Sequence, residues 1–360
     1  MADWKMRAEV FADVTFFPYV VREVEQQARE VYVWDLDKTY LDTRFETLSG
    51  LWQTLVEKAF QKKNVPGTGA LARALKKHWE ETHKEGTNEF AIYFLTGSPP
   101  QLERKIYDKL VFDGLYPFGI YFKDNIKNLQ PKRWWRLTKQ VGYKLQALLF
   151  LRLRLGNNVR FVMWGDDSES DAVIYSLFSD ICSRRMSTEE LCEVMKSLHV
   201  MGSQMETILE LQDQIPKEDP VDKIYINLAE DTDADYYVKF GRRTLPIYSS
   251  FQTALDLYQD KRLDGELVVR VAQDLVTNFG FTYDELEKFL DDMIRRQRVG
   301  EEALNGLLPT LQSHGFIHSR WEPSIAPKRI ADQVDGRVLA LEGSYEPWVP
   351  ERIDYLHDYR

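Results

Sequence analysis

Two carboxylates two positions apart, Asp35 and Asp37 in Asp35-Leu36-Asp37-Lys38-Thr39, follow directly on the apolar run Val31-Tyr32-Val33-Trp34. Such a pair beyond a strand end can divide the work of phosphoryl transfer. One carboxylate attacks phosphorus in line. The other protonates the leaving oxygen and later takes a proton from the water that cleaves the acyl phosphate. Asp35 can take the first role and Asp37 the second, and the Thr39 hydroxyl can tie the turn together. Taken alone, the pentapeptide is as readily a solvated acidic turn.

Three further groups bear on that choice. Thr96-Gly97-Ser98 follows the apolar run Phe90 to Leu95, and its hydroxyl and backbone N–H groups could cradle phosphoryl oxygens; the plainer alternative is a helix N-cap by Ser98 ahead of Pro99 and Pro100. Lys144, in Gly142-Tyr143-Lys144-Leu145, could offset the negative charge of Asp35 and a phosphoryl group, with Lys139 as the rival cation. Gly165-Asp166-Asp167-Ser168-Glu169-Ser170-Asp171 closes the run Val159 to Trp164. Hard cations such as Mg²⁺ take carboxylate oxygens. Asp166 can supply one opposite Asp35, and the main-chain carbonyl of Asp37 another. Asp171 could hold a metal-bound water or brace Lys144. The loop lacks EF-hand spacing.

Asp35, Thr96 and Asp166 each fall at the carboxyl end of a predicted strand. The strands are Val31–Trp34, Phe90–Leu95, Gly119–Phe122 and Val159–Trp164. Helical periodicity lies between and after them, at residues 46–64, Gly69–Glu80, Pro99–Leu110, Lys139–Leu155 and Ala172–Cys182. Alternation of this kind requires a parallel sheet with helices on both faces, and ligands bind beyond the carboxyl ends of its strands. Residues 1–30 read as a lead-in with a helix around Val20–Arg29. The two helices between Leu41 and Phe90 read as part of the core, so no large cap is expected. Residues 183–215 read as a helical insertion opened by a capping box at Ser187 and Glu190, which could serve as a partial lid. Lys223–Leu228 and Thr244–Tyr248 read as further extended pieces, followed by a helix over Phe251–Tyr258. The expected division is a catalytic domain over 1–265 and a mainly helical C-terminal region over 266–360, with a second capping box at Thr282 and Glu285 and an extended tail.

In order and spacing these groups resemble the four motifs of the haloacid dehalogenase (HAD) superfamily: Asp35 and Asp37 the first, Thr96 the second, Lys144 the third, Asp166 and Asp171 the fourth. The resemblance implies a HAD-like, Rossmann-like α/β core, Mg²⁺ and a phospho-aspartate on Asp35. It gives Asp35, Asp37, Thr96 and Lys144 as catalytic residues and Thr39, Gly97 and Ser98 as substrate-binding ones. Asp35, Asp37, Asp166 and Asp171 are the metal residues.

Over about residues 30–260 the chain is also similar to the catalytic domain of the actin-patch-associated phosphatidate phosphatase family. The likeness rests on Val65-Pro66-Gly67, Leu95 to Leu102 and the run Gly165 to Tyr175. Lys38 stands where that family usually has Asp, Gly97 replaces Asn and Pro100 replaces Trp. The substrate so implied is phosphatidate or another bulky phosphomonoester. The alternatives are a soluble phosphomonoesterase acting on a nucleotide, sugar phosphate or phosphoprotein, and a weakly active HAD-like interaction scaffold.

Composition narrows the classes further. Of the 360 residues 44% are hydrophobic and 29% charged, the balance of a globular chain with a sizeable core. A net charge of −10 disfavours bulk nucleic acid as a partner. The six histidines and two cysteines form no zinc spacing. No run is long enough to span a bilayer and no leader pattern is convincing, so a cytoplasmic location is expected, with transient membrane contact open. Lys127, Lys132, Arg133, Trp134, Trp135, Arg136 and Lys139 form a basic, Trp-containing segment. It reads as partly buried tryptophan with a solvated rim, in preference to a lipid-headgroup interface.

Overall fold

In the computed structural model, residues 3–42, 64–83, 89–123, 140–168, 170–229, 231–327, 331–334, 337–339 and 347–357 are described. The helix expected over most of 46–64 and the basic segment 127–139 lie outside them.

The chain opens with β1 (Glu9–Phe11) and β2 (Val14–Pro18), an antiparallel hairpin turning at Ala12, whose φ is 48°. A short helix α1 (Arg22–Gln27) follows. The expected lead-in thus carries its helix and, unforeseen, two strands: Val14-Thr15-Phe16-Phe17 is fully buried and pairs antiparallel with β5 (Gly119–Lys123). Next come β3 (Glu30–Asp35), α2 (Thr68–Thr82), β4 (Ile92–Thr96) and α3 (Glu103–Phe112). After β5 the chain continues through α4 (Val141–Arg154), β6 (Arg160–Asp166) and α5 (Asp171–Ser183). The stretch expected as an insertion is two helices, α6 (Thr188–Ser197) and α7 (Gly202–Gln214), and the Ser187–Glu190 capping box is present. Strands β7 (Val221–Asn227) and β8 (Thr244–Ile247) complete an eight-stranded sheet of order β1-β2-β5-β4-β3-β6-β7-β8.

The described parts of residues 1–63, 87–226 and 352–360 form one compact unit. Its centre is β3, parallel to β4 on one side and β6 on the other, with Trp34 opposite both Phe94 and Trp164. Parallel strands buried on both faces read as continuous apolar runs, and Val31-Tyr32-Val33-Trp34 is such a run. Trp34 stacks on Trp164 with ring centroids 4.3 Å apart, and Trp164 on Tyr225 at 5.1 Å. From β3 the sheet grows one way through β4 and β5, then returns to β6 on the other flank. That reversal beside β3 is the switch point at which open α/β sheets collect ligands. Helix α7 packs on α4 at Gly142, where an added Cβ would overlap the Gln204 amide; it belongs to the helical layer. Tyr355 docks in this unit, donating to Asp180 Oδ2 at 2.5 Å.

The described parts of residues 64–86 and 227–351 form the second unit. It contains α2, β8, α8 (Ser250–Gln259), α9 (Gly265–Phe279), α10 (Tyr283–Arg295) and α11 (Glu301–Ser313). The Thr282–Glu285 capping box opens α10 as expected. Leu255, Val268, Leu275, Leu290 and Leu311 are buried in its core. Within the expected tail, β9 (Ala331–Val334) and β10 (Arg337–Leu339) form a small antiparallel ribbon.

Candidate active site

Asp35 is the last residue of β3 and is 1% exposed. Beyond it the chain makes a tight turn. The amide of Leu41 donates to the carbonyl of Leu36 at 2.8 Å and that of Lys38 to the carbonyl of Leu41 at 2.8 Å. Lys38 adopts φ 60°, a left-handed conformation that ordinary residues rarely take. The turn carries Asp37 back towards the neighbouring strand end and folds the Thr39 hydroxyl over Asp35, 3.3 Å from Oδ2.

Thr96 ends β4. Its hydroxyl donates to Asp37 Oδ2 at 2.7 Å, while Thr96 Oγ1 itself accepts the Ser98 N–H at 3.0 Å. The phenol of Tyr143, on the first turn of α4, donates to the Thr96 carbonyl at 2.9 Å. Burial pushes this phenol well above its usual pKa, so it stays a donor. One residue on, Lys144 is fully buried. Its ammonium lies 2.9 Å from Asp35 Oδ1 and 2.5 Å from Asp171 Oδ1. A buried charge is tolerated only when paired, and here one cation bridges two carboxylates.

The fourth group sits at the end of β6. Asp171, the first residue of α5, accepts the Asp166 N–H at 3.1 Å through Oδ2, so both its oxygens are engaged. Gly165 has to be glycine, because a Cβ there would overlap the Asp171 carboxylate. Asp166 Oδ1 accepts from the Ser168 amide at 2.6 Å and its hydroxyl at 2.5 Å, and Ser168 Oγ in turn accepts from Lys38 at 3.0 Å. The Tyr175 phenol, one turn along α5, donates to the Trp164 carbonyl at 2.9 Å.

Asp35, Asp166 and Asp171 are all buried and offer carboxylate oxygens within 4.8 Å of one another. Oxygen-only donors at that spacing suit a hard divalent cation. Asp37 stands beside this trio, tied to Thr96. All nine residues singled out in the sequence, Asp35, Asp37, Thr39, Thr96, Gly97, Ser98, Lys144, Asp166 and Asp171, therefore fall in one compact unit. Around the ends of β3, β4 and β6, hydrogen bonds and ion pairs join two sets of them, Asp37–Thr96–Ser98 and Thr39–Asp35–Lys144–Asp171–Asp166. The rival Lys139 lies outside the described residues. Sequence reasoning did not reach Tyr143, Tyr175 and Ser168, because their contacts are to main-chain carbonyls or within a loop.

Residues 31–187 match the family model described as phosphatidate phosphatase APP1, catalytic domain. The resemblance to the phosphatidate phosphatase catalytic domain is thereby borne out over 31–187 of the roughly 30–260 expected, the segment that holds every one of these residues. No curated protein and no solved structure matches the chain. Among the described residues no helix is long and apolar enough to cross a membrane.

Proposed function

We propose that this protein is a HAD-type, Mg²⁺-dependent phosphatase that works through a phospho-aspartate on Asp35, with phosphatidate or a related bulky phosphomonoester as substrate. The match of residues 31–187 to a phosphatidate phosphatase catalytic domain supports the reaction class and the substrate. The observation that carries the mechanism is the buried bridge of Lys144 between Asp35 and Asp171.

Thr39 and Lys144 hold Asp35 from two sides, which fixes the direction in which its carboxylate oxygen meets phosphorus. Asp37, kept near by the Thr96 hydroxyl, is placed to protonate the departing ester oxygen. It then deprotonates the water that attacks the acyl phosphate, which breaks the P–O bond to Asp35 and regenerates the carboxylate. Asp35 and Asp166 would hold the metal together with the Asp37 carbonyl. Asp171, with both oxygens engaged, acts as the brace of Lys144. A bound Mg²⁺ would neutralise phosphoryl charge and orient the phosphate.

The test is phosphate release from phosphatidate vesicles, nucleotides and sugar phosphates, with and without Mg²⁺, beside Asp35→Asn. Metal-dependent release lost in the variant is expected, with no phosphoenzyme trapped. A fully active Asp35→Asn enzyme would refute the nucleophile. A preference for soluble esters would leave the mechanism standing and exclude the lipid.

A further inference from the structure

We propose that Gln140 is a further ligand of the phosphoryl group, supplying to the Thr96-Gly97-Ser98 loop an amide that residue 97 lacks. The proposal rests on the phosphatase reading above.

Gln140 is the residue before α4, and its carbonyl accepts the Lys144 N–H at 2.8 Å. The turn that fixes Lys144 therefore also fixes Gln140, and the two stand four residues apart on one helical face. Its carboxamide lies over Gly97. A Cβ built there would overlap Nε2, with Oε1 3.2 Å and Cδ 3.3 Å away. The space a side chain at 97 would enter is thus filled by an amide arriving from another element.

Two observations direct this amide to a ligand. Gln140 Oε1 is buried and has no hydrogen-bond partner among the described residues. Native structures rarely leave such an atom unsatisfied, and beside the Thr96-Gly97-Ser98 loop a ligand or its water would satisfy it. The donors expected of the loop are also turned inward: the Thr96 hydroxyl is given to Asp37, and the Ser98 N–H to Thr96 Oγ1. A carboxamide carries two donors and one acceptor. Nε2 can donate to a phosphoryl oxygen while Oε1 accepts from a water or hydroxyl that enters with the ester.

The experiment measures inorganic phosphate binding by calorimetry and p-nitrophenyl phosphate turnover, both with Mg²⁺, on the full chain. Gln140→Ala is expected to weaken phosphate binding and raise KM by about tenfold or more, the worth of one hydrogen bond to a charged group, with Tm unchanged. Gly97→Asn alone is expected to be worse, because its side chain meets Gln140. Combined with Gln140→Ala it has room and restores binding above either single variant. Wild-type affinity in Gln140→Ala overturns the proposal, as does a double variant no better than Gly97→Asn. If the wild-type chain neither binds phosphate nor releases it from any ester, the phosphatase reading itself fails.

Discussion

Replacing Lys144 by Met should destabilise the sheet-bearing unit strongly at neutral pH and much less in acid. Lys144 and Asp171 are 0% exposed and Asp35 1%. With the ammonium 2.9 and 2.5 Å from the two carboxylates, each attraction is on the order of 5–7 kcal/mol at an effective dielectric constant of about 20. Desolvation of the three charges offsets most of that sum, so it is no measure of the bridge's net worth. Deleting the cation alone is different. It leaves two buried carboxylates beside Asp166 without their counter-charge, which costs about 3–5 kcal/mol. For a unit of this size that corresponds to about 10 °C in Tm. In the variant, burial and mutual repulsion raise both carboxyl pKa values above those of the unfolded chain. Stability contributed by a group with a raised folded pKa is complete below its unfolded value and is lost as pH rises through the folded one. The deficit of Lys144→Met must therefore grow from pH 5 to pH 8. Thermal unfolding of both proteins at the two pH values, without divalent ions, reads it. A deficit below about 1 kcal/mol at pH 8, or one equal at both pH values, would refute the argument.

Three other perturbations follow from the same geometry. Asp37→Asn should slow phosphoenzyme formation by about 10²–10⁴-fold from esters with poor leaving groups and far less from p-nitrophenyl phosphate, because only the former need a proton on departure, while hydrolysis of the phosphoenzyme slows alike with both; formation slowed equally on both would remove Asp37 from the acid role. Tyr143→Phe leaves the Thr96 carbonyl buried without its donor and should cost about 1–3 kcal/mol in denaturant unfolding, while unchanged stability would mean another donor reaches that oxygen. Tyr355→Phe removes the donor to Asp180 and should weaken C-terminal docking by about 1.5–3 kcal/mol, seen as faster carboxypeptidase trimming at equal Tm. An unaltered trimming rate would show that the apolar contacts of Ile353 and Tyr355 suffice.

What could be read in the sequence follows the range of the forces involved. The central strands were legible because burial on both faces demands runs such as Val31–Trp34, and the capping boxes at Ser187 and Thr282 because their partners sit three residues away. The placement of the candidate site was legible for a related reason: once three acidic or hydroxyl groups, Asp35, Thr96 and Asp166, each end a parallel strand, the sheet has only one rim on which to place them. The edge hairpin was not, because Val14–Phe17 is an apolar run too short and too close to Pro18 to declare a partner, and that partner, β5, lies about a hundred residues on. Contacts that pass through the backbone hide in the same way. Tyr143 is addressed to a carbonyl, and every residue has one, so no spacing in the sequence announces it. Gln140 is the intermediate case, since its place one turn before Lys144 is visible in the chain. Its meaning comes from an absence elsewhere: the missing side chain of Gly97 becomes informative only when the fold shows what fills the gap.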